Sequence, residues 1–513
     1  MTAVERDAEA GVAPAEQVLP DGFQVQIDMR CARRGDLRYL VGGSPTRMLR
    51  MSDAALGMTS ADGRIEVCDP PTRSLARTLL ESGIAHPRPM SGPRIDDVTV
   101  VIPVRDNQSG VDRLIAALDC HEVIVVDDGS AEPIRVDASH TDCAAGDSST
   151  AEAVTEDSAA DGLVVAARPR VRVIRFEENR GPAAARNAGA AAAQTDFVAF
   201  LDSDVVPDPE WLMMLLAHFS DPMVALAAPR IVGLSARGGP GRGRQSLAER
   251  YENSHSSLDM GPTEASVVPG TPVPYVPSAA MILRRSAFPG FDEDLRVAED
   301  VDLCWRLHEA GWRMRYDPVA RVSHDHRTGM RQVLSRRRYY GTGAAFLAQR
   351  HGTMAAPMVM TVSMAVAVAA LLTRTKIGMV VAFVVLAQAA ARLRGRLGDL
   401  PGASVVAGQM TGRAAGYGLL QASAAICRHY WPLALIMALL SRRFRRLVIE
   451  LAVIEGLVEW VRSVISDPSL GPSMGPFSYL LCRRLDDLAY GTGLWEGVVR
   501  ERDLGALRPV VTR

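Results

Sequence analysis

The chain has 513 residues, of which 57 are basic and 59 acidic. This length predicts about three domains at roughly 150 residues each. Because the charges nearly cancel, no overall positive field would attract nucleic acid, and we expect no nucleic-acid partner. The seven cysteines are scattered without a CxxC pair, which is typical of reduced thiols in the cytoplasm.

The first 90 residues predict a lead segment and a small folded module. Residues 1–20 are polar and acidic, and we expect them to be disordered. Within residues 21–90, alternating stretches at 23–29 and 37–41 predict strands, and the segment RSLARTLLESG has helical spacing that ends at Gly83. The proline-rich segment HPRPMSGPR predicts a linker between this module and the next domain.

Residues 95–345 predict a second domain, in which short apolar runs alternate with helical stretches. The runs VTVVIPV, EVIVVDDGS, VRVIRFEE and FVAFLDSD are rich in β-branched residues, which predicts the buried strands of a parallel α/β sheet. Residues 138–168 are acidic and rich in small side chains, and they interrupt this alternation. They predict a surface insertion.

Residues 350–513 are more apolar and predict helices that associate with a membrane. Residues 354–372 and 377–391 carry no charged side chain, and a third apolar stretch centres on YWPLALIMALL. The basic clusters RLRGR and SRRFRR flank the second and third stretches, as at the cytoplasmic edge of a membrane. A packed helical bundle of a soluble protein is the alternative, because the apolar stretches are short.

Two predicted strands end in closely spaced aspartates. EVIVVDDGS ends in Asp127 and Asp128, and FVAFLDSD ends in Asp202 and Asp204. Ligands of open parallel sheets bind beyond the carboxyl ends of the strands, so both pairs should face one crevice. A divalent cation relieves the repulsion between carboxylates, and Mg²⁺ or Mn²⁺ is commonly held by one or two of them together with substrate phosphates. We therefore expect Asp202 and Asp204 to bind a metal that carries a diphosphate.

The segment ENRGPAAARNAGAAAAQ lies between these strands and predicts a turn followed by a helix. Arg180 and Gly181 fall in the turn, Pro182 suits the first helical position, and Arg186 and Asn187 lie in an early turn of the helix. A helix N-terminus beside an arginine suits a phosphate or a nucleotide. An ordinary alanine-rich crossover helix is the alternative.

The segment AEDVDLCWRLHEAGW predicts a helix that opens with Glu299 and Asp300. Carboxylates are common in a first helical turn, since the helix dipole favours them there. A carboxylate held rigidly at the edge of a pocket can also act as a general base. His324 follows the predicted strand ARVSH and is a candidate to complete a metal site with Asp204, with His326 in reserve.

Several of these segments together resemble a known family. VVIPVRDN, VIVVDDGS, NRGPAAARNAG, FLDSDVVPDPEWL and AEDVDLCWRLHEAGW are similar, in order and spacing, to the motifs of the inverting GT-A glycosyltransferases of family 2, over roughly residues 97–330. The resemblance implies an α/β GT-A fold and a nucleotide-diphosphate sugar as donor, with its nucleoside near Pro103, Asp127 and Asp128. The candidate donor-binding residues are Pro103, Asp127, Asp128, Arg180, Arg186, Asn187 and Asp202.

The same resemblance implies the chemistry. It places a divalent metal, Mg²⁺ or Mn²⁺, at Asp202 and Asp204, and it makes Asp300 the general base, with Glu299 beside it. An acceptor hydroxyl then attacks the anomeric carbon from the face opposite the leaving nucleoside diphosphate, and a single displacement inverts the configuration. No protein nucleophile is needed.

The whole chain resembles one branch of this family more closely, the glycosyltransferases of mycofactocin systems. YLVGGSPTRMLRMS and TRSLARTLLESGIAHPRP carry this likeness, and residues 21–90 also resemble the winged-helix-like PqqD domains that recognise precursor peptides. The branch implies transfer of glucose from UDP-glucose onto a peptide-derived redox cofactor, which builds a β-1,4-linked oligosaccharide. Processive polysaccharide synthases carry Gln-x-x-Arg-Trp where this chain reads SRRRYYGTG, a departure that argues against long-chain synthesis.

Other functions stay open at this point. A polyprenyl-phosphate or exopolysaccharide glycosyltransferase would share the catalytic motifs and use the apolar region to meet a lipid acceptor. A sugar nucleotidyltransferase should carry a glycine-rich basic loop after its first strand, which VIPVRDNQSG lacks, and a non-catalytic binding module would not need Asp202, Asp204 and Asp300 together. For residues 21–90 a winged-helix DNA reader is the alternative, although RCARRGDLRYL is their only basic cluster. The expected location is the cytoplasmic face of the cell membrane, where nucleotide sugars are made.

Overall fold

The computed structural model describes residues 18–34, 37–44, 46–88, 91–118, 120, 122–137, 169–234, 245–398, 400–466 and 474–512. The predicted surface insertion at 138–168 lies outside these residues, as do residues 1–17 of the predicted lead.

The N-terminal module combines two small antiparallel sheets with two helices. Its elements are β1 (Gln24–Ile27), β2 (Ala32–Arg34), β3 (Tyr39–Gly42), β4 (Arg47–Arg50), α1 (Asp53–Gly57), β5 (Arg64–Glu66), α2 (Pro70–Glu81) and β6 (Ala85–Pro87). The sheets have the strand orders β5-β1-β6 and β2-β3-β4. Helix α2 begins at a capping box, in which Asp69 accepts the backbone N–H of Thr72 at 2.8 Å, and it buries Ala76 and Leu79 in the module core.

The predicted disordered lead and the predicted linker, on either side of the module, both need correction. Leu19 falls in the predicted disordered lead, yet it is fully buried in the module core, and its carbonyl oxygen accepts a hydrogen bond from Arg73 at 2.8 Å. At the other end, the first two residues of the predicted linker, His86 and Pro87, belong to the edge strand β6, where Pro87 pairs with Val25. A proline fits an edge strand because no outer neighbour requires its missing N–H.

The central domain is built on one sheet, to which the described residues contribute nine strands. Its strands are β7 (Val98–Val104), β8 (Glu122–Asp128), β9 (Arg170–Phe176), β10 (Phe197–Leu201), β11 (Val205–Pro207), β12 (Val224–Gly233), β13 (Ala265–Ser266), β14 (Ala280–Arg284) and β15 (Arg313–His324). Its helices are α3 (Gln108–Ile115), α4 (Pro182–Ala192), α5 (Trp211–Leu216), α6 (Leu247–Ser254) and α7 (Glu299–Glu309).

The sheet is mixed, which corrects the prediction of a parallel sheet. Its order is β11-β15-β12-β14-β10-β7-β8-β9, with β13 beside β15. Strands β10, β7, β8 and β9 are parallel, as predicted, and β14 runs antiparallel to both β10 and β12. The carboxyl ends of β10, β7 and β8 therefore meet at one edge of the sheet, where the four predicted aspartates lie.

The C-terminal region is helical. Its elements are α8 (Met330–Gly341), α9 (Ala344–His351), β16 (Val359–Thr361), α10 (Val362–Leu372), α11 (Lys376–Leu397), α12 (Ala403–Arg428), α13 (Trp431–Leu440), α14 (Arg442–Ser466), α15 (Pro476–Glu501) and β17 (Val510–Thr512). Strands β16 and β17 pair in parallel, which ties the last described residues to the start of α10.

The apolar stretches of this region do not all form long helices. In the stretch 354–372 only the 11 residues of α10 are α-helical, about 16 Å of helix, which is half of a hydrocarbon core of about 30 Å. Among the described residues, α11 alone is long and apolar enough to cross a membrane by itself. A second crossing would need α12 and α13 together, and they are bent by 85° at their junction.

Candidate active site

Asp202 and Asp204 follow β10, and the chain then enters β11. Val205 in β11 pairs with His324 at the end of β15, which brings His324 to Asp204 across a long sequence separation. Oδ2 of Asp204 lies 3.3 Å from Nε2 of His324. Burial alone would raise the pKa of Asp204, but the hydrogen bond and charge of His324 lower it overall. Burial alone would lower the pKa of His324, and Asp204 raises it overall.

Arg186 joins this acidic edge to the helix that carries the predicted base. Its side chain is 3% exposed, with Nη2 at 2.6 Å from Oδ1 of Asp202 and Nη1 at 3.4 Å from Oε1 of Glu299. Burial alone would lower the pKa of Arg186, but the carboxylates of Asp202 and Glu299 raise it overall. Helix α4 can deliver this side chain because Gly189 rests directly on Val101 of β7, where a Cβ atom would overlap the valine.

Asp300 lies in the first turn of α7 and is held by backbone groups. Its Oδ1 accepts the N–H of Val301 at 2.8 Å, and its Oδ2 accepts the N–H of Ser278 at 3.3 Å. Burial, and after it the charge of Glu299, raises the pKa of Asp300 to about 7. Ala298, just before the helix, has φ of 63°, a left-handed conformation that costs a non-glycine residue roughly 1–2 kcal/mol. A strained turn thus fixes the direction in which α7 begins.

Asp127 ends β8 as predicted, but its carboxylate is engaged within the protein. The side chain is fully buried and accepts the N–H groups of Ser130 at 2.9 Å and Ile134 at 3.2 Å, together with a hydrogen bond from Arg175. Pro103 lies inside the neighbouring strand β7 and is also buried. In this structure Asp127 fixes the loop after β8, and a contact of either residue with a nucleoside stays a prediction.

Asp128 and Asn187 likewise organise the loops around α4. Asp128 accepts the N–H groups of Arg180 at 2.7 Å and Gly181 at 2.9 Å, just before α4 begins. The side chain of Asn187 donates to the carbonyl oxygen of Phe291 at 2.9 Å and accepts the N–H of the same residue at 2.8 Å. The side chain of Arg180 is 56% exposed, and its Nη2 lies 3.3 Å from Oε2 of Glu293.

The groups around Asp204 fit a divalent cation in part. Oδ1 of Asp204, Nδ1 of His324 and both ring nitrogens of His326 are buried without a hydrogen-bond partner in the described part of the chain. The two imidazole rings lie 5.7 Å apart. Within the described ranges, no group of three or more His, Cys, Asp or Glu side chains is arranged to hold a metal. A cation at this place would therefore have Asp204 and His324 as its protein ligands, and phosphate oxygens and water would complete its coordination.

A basic cleft of about 500 Å³ lies beside this edge and was not predicted as part of the site. It is lined by Arg327, Arg331, Gln332, Ser335, Arg336 and Tyr339. Arg327 acts electrostatically on Asp204, and Arg336 interacts with the charge of Glu299. The cleft therefore adjoins both the acidic end of β10 and the start of α7. The sequence signal was the run of arginines in HDHRTGMRQVLSRRR, which follows the last strand of the sheet. Such a cleft suits the charge of a diphosphate.

Comparisons with known proteins identify the family of the chain. The family model "Glycosyl transferase family 2" matches residues 147–289. The chain is 47% identical over 498 residues to the pre-mycofactocin glycosyltransferase of Mycobacterium tuberculosis, strain H37Rv, which covers 96% of this chain and 98% of that protein. It is 26% identical over 152 residues to the poly-β-1,6-N-acetyl-D-glucosamine synthase of Staphylococcus aureus, strain COL, covering 29% of this chain and 34% of that one.

Solved structures with some likeness were also found. One is the mannosyltransferase PcManGT from Pyrobaculum calidifontis in complex with GDP-Man and Mn²⁺, 15% identical, with a TM-score of 0.32 over 74% of this chain and 90% of that chain. Another is GalNAc-T7 with UDP, GalNAc and Mn²⁺, 16% identical, with a TM-score of 0.31 over 48% of this chain and 46% of that chain. Both likenesses are weak.

The mixed α/β sheet, its acidic edge and the family 2 match define a glycosyltransferase with a GT-A fold. The relative that matches almost end to end refines this class, and the chain belongs to the family of the pre-mycofactocin glycosyltransferases. The predicted fold class and the predicted resemblance are both confirmed.

Proposed function

We propose that this protein transfers glucose from UDP-glucose, with inversion, onto the peptide-derived cofactor mycofactocin or its precursor, and so builds a short β-1,4-linked oligosaccharide. The end-to-end likeness to a pre-mycofactocin glycosyltransferase supports the acceptor. The observation that carries the chemistry is Asp300, a carboxyl group with a pKa of about 7 that two backbone N–H groups hold in place. A base with this pKa is well matched to proton transfer near neutral pH.

The reaction is a single displacement. The acceptor oxygen forms a bond to the anomeric carbon while its proton passes to the carboxylate of Asp300. The bond from the anomeric carbon to the phosphate oxygen breaks, and its electron pair leaves with the nucleoside diphosphate. Arg186 holds Asp202 and Glu299 in place on either side of its guanidinium group, and Arg327 and Arg331 bring positive charge toward the diphosphate.

We also propose that Asp204 and His324 hold Mg²⁺ or Mn²⁺, with Asp202 beside them. The buried, unpaired oxygen of Asp204 supports this assignment, because a carboxylate oxygen without a partner is costly unless a ligand satisfies it. When bound, the cation would supply positive charge that stabilises the departing diphosphate.

The proposed function is tested by incubating the purified protein with a panel of radiolabelled nucleotide sugars and extracts that contain candidate acceptors. We expect label from UDP-glucose in a product that needs the mycofactocin pathway of the extract donor. Label that appears instead in a lipid fraction, from an extract without that pathway, would favour the polyprenyl-phosphate or exopolysaccharide alternative.

The pKa of Asp300 predicts the pH dependence of turnover. The folded enzyme holds the proton on Asp300 below about pH 7, and a protonated carboxyl group cannot accept another proton. With saturating donor, kcat should therefore rise with pH and level off above about pH 7. Glu299→Gln removes the neighbouring negative charge and should move this rise to lower pH. A profile that is flat between pH 5.5 and 8.5 would remove Asp300 from the rate-limiting proton transfer.

We propose that the protein associates with the cytoplasmic face of the cell membrane. Helix α11 leaves large apolar side chains exposed, among them Ile377 at 77% and Phe383 at 72%, which a packed soluble bundle would bury. Arg392, Arg394 and Arg396 follow at the end of this helix. We expect the full-length protein to sediment with membranes and to need detergent for extraction. Recovery of monodisperse protein in detergent-free buffer would contradict this proposal.

The N-terminal module contacts the central sheet at the starts of β12 and β15, the opposite ends of these strands from the acidic residues. Arg77 pairs with Asp221, just before β12, at 2.7 and 2.9 Å, and Glu81 pairs with Arg313, the first residue of β15, at 2.5 Å. The active-site His324 is the last residue of β15, whose 12 residues at about 3.3 Å each span roughly 40 Å. An acceptor that the module holds must therefore be long enough to reach the other end of β15, where His324 lies.

This position gives a sharper prediction for the PqqD-like role of the module. Deletion of the module should leave the slow hydrolysis of the nucleotide sugar intact, since the donor and metal residues all lie beyond residue 97. Transfer to a peptide-linked acceptor should fall, because the binding energy that holds the acceptor is lost. Binding of the isolated module to the pathway precursor peptide and to duplex DNA separates the two proposed roles. Binding to DNA alone would defeat the peptide role, and unchanged transfer after deletion would leave the module as a structural cap.

A further inference from the structure

Helix α8 has two opposite faces with different surroundings. Arg331, Ser335 and Tyr339, spaced four residues apart, line the basic cleft. Val333, Arg337 and Gly341 repeat the same spacing two positions later and are buried. Two residues correspond to a rotation of about 200° around a helix, so the two sets point in opposite directions. Whatever holds the buried face of α8 therefore also fixes the position of the cleft face.

The cleft face borders the proposed reaction site. Arg336 interacts electrostatically with Glu299, the neighbour of the proposed base. The hydroxyl group of Tyr339 donates a hydrogen bond to the carbonyl oxygen of Arg296, in the loop that leads into α7. A shift of α8 would thus move positive charge relative to Glu299 and to the start of the helix that carries Asp300.

Arg337 holds the buried face through groups from other helices. Its Nη2 donates to Oε1 of Glu252 in α6 at 3.0 Å and to the carbonyl oxygen of His255 at 2.9 Å. Its Nε lies 3.2 Å from Oδ1 of Asp486 in α15. Tyr251 donates to the other oxygen of Asp486 at 2.9 Å. The side chains of Arg337, Glu252 and Asp486 are exposed by only 9%, 9% and 3%, so solvent screens these charges little.

Helices α8 and α15 also touch through their backbones. Gly341 of α8 lies against the carbonyl oxygen of Tyr490, and Gly493 of α15 lies against that of Arg338. A Cβ atom at either glycine would overlap the oxygen that it faces. At this distance α8 cannot move without α15, the last long helix of the C-terminal region.

We propose that Arg337 is a positioning residue, through which the C-terminal helical region fixes the basic cleft for binding of the nucleoside diphosphate. This inference rests on the proposed function, because it takes the ligand of the cleft to be the diphosphate of the donor. Arg337 itself faces away from the cleft and acts through α8. The removal of one partner from a buried ion pair leaves the other charges uncompensated, so α8 should shift or loosen when Arg337 is replaced.

The test compares the same substitution at two neighbouring residues of the full-length protein. Arg337→Met removes the buried charge, and Arg338→Met removes an exposed one, since the ion pair of Arg338 with Glu496 is 57% and 42% exposed. We expect Arg337→Met to raise the Kd for UDP, measured by calorimetry with Mg²⁺ present, by about tenfold, within the range found for residues that act at a distance. Arg338→Met should stay within about twofold of the wild type. Arg337→Lys, which keeps the charge, should recover part of the loss.

Two further readouts separate positioning from general destabilisation. Tyr251→Phe removes only the hydroxyl group that holds Asp486, so it should fold even if Arg337→Met does not, and it should weaken UDP binding in the same direction. Thermal unfolding is followed for each variant. A folded Arg337→Met protein, or Tyr251→Phe in its place, that binds UDP as tightly as the wild type would overturn this inference alone. A wild-type protein that binds neither UDP nor UDP-glucose would overturn the proposed function and this inference with it.

Discussion

Asp300→Asn should lower kcat by about a hundredfold or more, the size expected when a general base is lost. The asparagine keeps the size of the side chain, and its amide oxygen can still accept the N–H of Val301, while its NH2 group replaces the oxygen that accepts the N–H of Ser278. It cannot take a proton from the acceptor hydroxyl. The Kd for UDP-glucose should change little, because the proposed donor contacts lie elsewhere. Single-turnover kinetics and calorimetry on the same preparation measure the two quantities.

The control for this variant is Asp294→Asn, the same chemical change at an exposed residue before α7. Its kcat should remain within about twofold of the wild type, as for most surface substitutions. Near-native turnover of Asp300→Asn would show that another residue is the base. Glu299 would then be the first alternative, since it opens the same helix and lies 3.4 Å from Arg186.

Removal of the divalent cation should abolish transfer, and Mg²⁺ or Mn²⁺ should restore it. Asp204→Ala should weaken the binding of UDP-glucose together with turnover, by at least about tenfold, the lower end of the effect of disturbing a metal site. The reason is that Asp204 and the diphosphate are proposed to share one cation. Donor binding is measured by calorimetry with and without chelator, and bound Mn²⁺ is counted from its EPR signal, which does not depend on activity.

The matched control is Asp112→Ala, which removes an exposed carboxylate from α3. This variant should bind Mn²⁺ and UDP-glucose as the wild type does. Full activity of the wild type in excess chelator would exclude the cation from the reaction. Loss of donor binding in Asp204→Ala without loss of Mn²⁺ would instead assign Asp204 a direct role at the donor.

The acidic edge of the sheet was predictable because it depends on local patterns. The apolar runs that end at Asp128 and Leu201 form buried strands, and parallel strands bring their carboxyl ends together. Helix α4 starts at Pro182 and α7 at Glu299, as predicted from the proline and the acidic first turn. These features need only the pattern of a short segment.

The rest of the site depends on tertiary placement. Arg186 was predicted to bind the donor, and tertiary packing pairs its guanidinium group with Asp202 and Glu299, which the sequence did not reveal; its contact with the donor stays a prediction. The periodicity of the chain did not reveal β14, whose antiparallel insertion makes the sheet mixed. The sequence predicted Asp127 as a donor ligand. In the structure its carboxylate accepts hydrogen bonds from Arg175 and from the loop after β8, which only the tertiary structure reveals.

The most direct test of the proposed chemistry is the anomeric configuration of the product. Purified full-length protein is incubated with UDP-glucose, whose glucose is α-linked, a divalent cation and the mycofactocin precursor, and the product is examined by proton NMR. We expect a product that carries glucose in the β configuration. A product with α-linked glucose would contradict the single displacement by the Asp300-activated hydroxyl, and no transfer of glucose to this acceptor would contradict the proposed function.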